Sequence, residues 1–152
     1  MSKKTVQKWI IAVLVLLGLT LLFIFSQSLI GKEDSRAESE SVMNFIKPLL
    51  EIFVGKGNVT LFLVRKLAHM TEFAVLGAEL TLLALLLGKK TAGFFALAGV
   101  LAALSDETIQ RFTGRGSDLA DVWIDIGGAV IGTLLVLAVF LIVRLIRRRT
   151  KE

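Results

Sequence analysis

The chain has 152 residues, 55% of them hydrophobic, with a net charge of +5 and no cysteine. A mean hydropathy of +0.76 is too apolar for a soluble domain of this size, and the lack of cysteine excludes disulfides, thiolate chemistry and Cys-ligated zinc. The positive residues gather in short patches beside apolar runs, which is the pattern of membrane topology and not of nucleic-acid binding.

The first apolar stretch runs over residues 9–25, follows Lys3, Lys4 and Lys8, and extends to about residue 30. At about 1.5 Å per residue it is long enough to cross roughly 30 Å of hydrocarbon. A cleaved signal peptide, with Ser26 and Ser28 near the cleavage point, is the competing reading, but the apolar run is long for one. Residues 31–40 are charged and polar. From Ser41, Val42, Phe45, Ile46, Leu49, Leu50 and Phe53 mark one face of an amphipathic helix over 41–54 with Pro48 inside it, too short and mixed to span. Such a segment would lie along the membrane surface, or else pack on the bundle as a loop.

The second span is expected over 67–87, followed by a tight turn at Gly88, Lys89 and Lys90. The third starts near Thr91, and its uninterrupted apolar run, 92–104, has 13 residues. That covers only about 20 Å, so a crossing helix over 91–110 must draw Ser105, Asp106 and Glu107 into the outer part of the bilayer. The fourth span covers 119–143 and precedes Arg144, Arg147, Arg148, Arg149 and Lys151. The amino end, the 88–90 turn and the carboxyl tail hold ten of the 18 Lys and Arg residues, so these segments are assigned to the cytoplasm. The expected fold is therefore an all-α integral membrane protein. It has four transmembrane helices, cytoplasmic termini and a surface helix between spans one and two, in a single domain over 1–152.

A charge at the centre of a membrane helix costs roughly 2.5–3.5 kcal/mol on insertion scales and persists mainly where it pairs, lines a cavity or does chemistry. Here Arg65, His69, Glu72 and Glu79 lie in the second apolar segment, and Asp106, Glu107, Asp118, Asp121 and Asp125 lie in or beside the next two. Counted from the cytoplasmic ends, Glu72 is roughly 22 Å deep, His69 roughly 27 Å, Asp106 and Glu107 roughly 22–24 Å, and Asp125 roughly 27 Å. Arg65, His69, Glu72, Leu76 and Glu79 form a stripe along one helix, and Asp118, Asp121 and Asp125 form another. Gly128 and Gly132 form a small-xxx-small pair that permits close helix approach.

The set can hold a divalent cation through carboxylate oxygens and one imidazole. It can equally work as a general acid–base pair. His69, Glu72, Asp106, Glu107 and Asp121 are the candidate catalytic groups. Arg65, Gln110, Arg115 and Asp125 are the candidate substrate-binding groups, since guanidinium suits an anion such as phosphate. The plain structural reading is a salt-bridge lattice in which Arg65, Arg111 and Arg115 neutralise the acids. No G-x-S-x-G or P-loop motif is present.

The sequence resembles the VanZ-like membrane proteins. The resemblance rests on Ser26-Gln27-Ser28, the run from Arg65 through His69 and Glu72 to Phe73, Leu76-Gly77, Asp106-Glu107 with Gln110 and Phe112, Arg115, Asp121, Asp125, Gly128 and Gly132. Relatives often carry Asn where this chain has Asp125. The resemblance implies a four-span bacterial cell-membrane protein linked to low-level resistance to teicoplanin-type glycopeptides. Three functions then follow: binding or processing of a lipid-linked cell-envelope component with an anionic headgroup; a small proton-coupled transporter using Glu79, about 12 Å from the cytoplasmic end; or a noncatalytic protein that holds a partner. The basic tail is accounted for by inner-leaflet lipids. Oligomeric state, and whether a reaction occurs at all, are not written in the sequence.

Overall fold

In the computed structural model, which describes residues 2–114 and 119–150, every regular element is helical. The order is α1 (Lys3–Leu29), α2 (Lys32–Val54), α3 (Leu61–Leu87), a short 3-10 turn (Lys89–Thr91), α4 (Ala92–Phe112) and α5 (Leu119–Arg149). Four of these, all but α2, are long and apolar enough to cross a membrane. At about 1.5 Å per residue even α4, with 21 residues, reaches roughly 31 Å, a full hydrocarbon thickness.

The helices begin earlier than hydropathy alone suggests, because their starts are set by caps in polar sequence. Thr60 accepts a hydrogen bond from the Leu63 amide at 3.2 Å, which starts α3 six residues before its apolar run and brings Arg65 and Lys66 into the helix. Likewise α2 covers the charged stretch from Lys32, with Glu33 and Asp34 in its first turn where the helix dipole favours acids. Arg36 and Glu40 add an exposed i, i+4 pair at 3.0 Å. The backbone at Gly88 has φ 115°, a conformation that side chains rarely adopt, and it ends α3 so that the chain can turn into α4.

Pairings between helices give their directions. Thr20 meets Glu79 and Ser28 meets Asp106, while Gly99 faces Leu80 and Gly132 faces Ala74. α3 therefore runs antiparallel to α1 and α4 and parallel to α5, and the start of α1, the 89–91 turn and the end of α5 share one end of the bundle. α3 is the central helix. Its Phe73, Leu76, Leu80 and Leu83 are buried in a core that takes in Ile24, Ala102 and Ala103. The expected close approach is made by α5: Gly128 lies on the Met70 carbonyl and Gly132 on that of Ala74, leaving no room for a Cβ at either. Outward, α1 and α5 expose Leu19, Leu22, Leu134 and Phe140, which hydrocarbon solvates at no cost.

Candidate functional site

At the end of the bundle away from the 89–91 turn, four helices each contribute a polar side chain to one buried cluster. Asp106 of α4 is fully buried. Its Oδ2 accepts from Gln110 Nε2 at 2.7 Å, one helical turn further on, and its Oδ1 accepts from the Ser28 hydroxyl at the end of α1. Thr113 Oγ1 also donates to the Ser28 carbonyl at 3.0 Å, a second tie between α1 and α4. From α3, His69 places Nδ1 at 3.6 Å from Asp106 Oδ2 and 3.6 Å from Asp125 Oδ1 of α5. Both separations are too long for hydrogen bonds. One ligand-type atom from each of His69, Asp106 and Asp125 lies within 4.8 Å of the other two. The glycine contact explains the meeting: Gly128 sits on Met70, the residue after His69, and so carries Asp125, one turn earlier on α5, against the imidazole.

His69 is also part of a second feature. A cavity of about 600 Å³ lies between α1, the first half of α2 and α3, and its polar lining includes Gln27, Glu38, Arg65, His69 and Glu72. The imidazole, 15% exposed, is thus a shared wall between this cavity and the acid cluster.

The VanZ/LLP1 family model matches residues 9–143. The chain belongs to the VanZ/LLP1 family. No curated protein and no solved structure matches it. The match reaches all four spans, so the protein is a VanZ/LLP1 multi-pass helical membrane protein. Several residues of the VanZ-like segments quoted from the sequence meet in space: Ser28, His69, Asp106, Gln110 and Asp125 form the cluster, while Gln27, Arg65 and Glu72 line the cavity beside it.

The other candidates sort by position. Glu107 is buried on α4, beside Asp106 in sequence. Asp121 forms an ion pair with Lys66, and both side chains are partly exposed. Arg111 is exposed. Arg115 and Asp118 lie outside the described residues. Glu79, expected on the same stripe as His69, faces α1 instead, accepting from Thr20 Oγ1 at 2.9 Å. The stripe divides because it is wider than any single neighbour: its residues are shared among α1, α2, α4 and α5. Two site partners escape sequence reasoning. In the sequence Ser28 stands out only as part of a family motif or a cleavage point, although a serine ending an apolar span can hold an acid on another helix. Lys66 is obscured by the arginines, which look like the natural partners of the acids.

Proposed function

We propose that the protein binds the anionic headgroup of a lipid-linked cell-envelope component at the outer leaflet of a bacterial cytoplasmic membrane. The orientation rests on the ten basic residues at the termini and the 88–90 turn, which favour the cytoplasmic side. The cavity and cluster then face outward. The observation that carries the reading is the polar cavity itself. A space of this size, whose partly apolar wall carries Arg65, His69, Glu72 and Gln27 inside a membrane protein, favours a ligand with polar groups of its own. Arg65 offers paired donors for a phosphate, and Glu72, Glu38 and Gln27 offer acceptors for hydroxyl or amino groups, a combination suited to a phosphate-linked sugar. His69 connects that headgroup to Asp106 and Asp125, where a proton could be taken or returned if the protein processes its ligand.

The family resemblance connects this reading to tolerance of teicoplanin-type glycopeptides. α2 fits the same picture. Phe45, Leu49, Ile52 and Phe53 are exposed together on one side, so the second half of α2 can bury them in the bilayer interface while its first half covers the cavity.

The test is mass spectrometry of lipids retained by the protein purified in mild detergent. Wild type should carry a phosphate-bearing lipid that is depleted in Arg65→Gln and Glu72→Gln. An identical lipid profile in all three would remove the headgroup reading. Transport then becomes the better account, on the strength of Glu79: it is buried, and its Oε2 has no hydrogen-bond partner among the described residues.

A further inference from the structure

We propose that His69, Asp106 and Asp125 form a binding site for a divalent cation of the Mn²⁺ or Zn²⁺ kind, held between α3, α4 and α5. Among the described residues these three are the only group of His and acidic side chains close enough to share an ion. Ligand atoms on one ion at about 2.0–2.2 Å stand roughly 3.3–3.6 Å apart along a tetrahedral edge. His69 Nδ1 lies 3.6 Å from each carboxylate oxygen, which matches that spacing and is too long for a hydrogen bond.

Asp125 supplies the independent observation. Its side chain is fully buried, and among the described residues no group donates a hydrogen bond to either carboxylate oxygen. Buried carboxylates are normally satisfied by donors, and Asp106 illustrates the rule, with Gln110 and Ser28 on its two oxygens. At Asp125 the acceptor that lacks a donor points at His69 Nδ1, where a cation shared with the imidazole would satisfy it. The Asp106 contacts fit the outer shell of a metal site, because donors that fix a ligating carboxylate set its direction.

The donor set also selects the ion. One imidazole with two carboxylates is too hard for Cu(I), which prefers sulfur, and offers too few oxygens for Ca²⁺, which takes six to eight. Mn²⁺ and Zn²⁺ accept both donor types. Because His69 borders the cavity, an ion on it could accept a phosphate oxygen as a further ligand. That role rests on the headgroup reading, whereas the site itself does not.

The experiment uses full-length protein in detergent, stripped with EDTA and titrated with MnCl₂, with free Mn²⁺ followed by electron paramagnetic resonance. Wild type should bind one Mn²⁺ per chain, displaceable by Zn²⁺. Asp125→Asn and His69→Gln should weaken binding by about tenfold or more, and Glu40→Gln, in an exposed ion pair with Arg36 on α2, should not. Circular dichroism of each stripped protein checks the fold, and His69→Gln keeps the comparison open if Asp125→Asn does not fold. No saturable site in wild type, or equal losses with Glu40→Gln, would overturn the proposal. Lipid content measured on the same preparations separates the two readings: lipid without metal removes the cation site alone, and metal without lipid removes the headgroup alone.

Discussion

Two spaces of similar size flank α3, and they differ in the charged side chains on their walls. One is the cavity of about 600 Å³ beside α1 and α2, lined by Gln27, Arg65, His69 and Glu72. The other, of about 550 Å³, lies between α3, α4 and α5 toward the 89–91 turn and is lined by Gly77, Leu80, Ala84, Ala96 and Gly99 among others. The second exists because small residues face one another, and within a bilayer an acyl chain can fill it as readily as it covers any apolar surface. The first cannot be filled that way without stranding polar groups. Inside a membrane protein, volume alone therefore says little about function, and the chemistry of the walls says much more.

The comparison depends first on which side of the membrane each space faces. Reporter fusions after Lys90 and after Glu152 should give a cytoplasmic signal, and a fusion after Gly57 an external one. This is the largest expected effect, since it is all or none. An external signal from the carboxyl terminus would turn the polar cavity inward and remove any role in outer-leaflet chemistry.

Removing charge from the polar side should cost function without costing the fold. Glu72→Gln and Asp106→Asn keep side-chain volume, and the amide introduced by Asp106→Asn would retain an oxygen for one of the two donors that Ser28 and Gln110 direct at Asp106. In a susceptible host, tolerance to teicoplanin-type drugs should fall to that of cells lacking the protein, while membrane levels measured by immunoblot stay near wild type. Asp121→Asn should be milder, because its carboxylate pairs with Lys66 and is not one of the three that meet at His69. If Glu72→Gln and Asp106→Asn accumulate and still protect, the cluster is structural.

The spans were legible because each is an apolar run bounded by charge, and the spacing of Gly128 and Gly132 announced a close helix approach, whose partner, α3, only the structure identifies. Helix starts were not, since Thr60 and Gly31 cap their helices inside polar sequence that hydropathy discounts. His69, Asp106 and Asp125, which share a depth in the sequence, lie together in the structure. Depth does not reveal azimuth, however. It could not separate Asp121, which turns to Lys66, or Glu79, which turns to Thr20. Nor could it show that Ser28 reaches across to Asp106, since that contact spans 78 residues of sequence and depends on how α1 packs on α4.

The smallest expected effect tests the apolar side. Gly99 lies in the middle of α4 with ordinary helical backbone, and a Cβ there would meet only Leu80 Cδ1 at 3.4 Å, an ordinary van der Waals contact. Glycine inside a helix costs about 0.5–1 kcal/mol relative to alanine, so Gly99→Ala should stabilise the protein by about that amount and raise its melting temperature in detergent by a few degrees. The added methyl also takes up a little of the apolar space. If lipid tails merely fill that space, drug tolerance and Mn²⁺ binding should remain at wild-type levels. Reduced tolerance in a Gly99→Ala protein that is at least as stable as wild type would mean that the apolar space holds part of the ligand, and the two sides of α3 would then form one site for a headgroup and its chain.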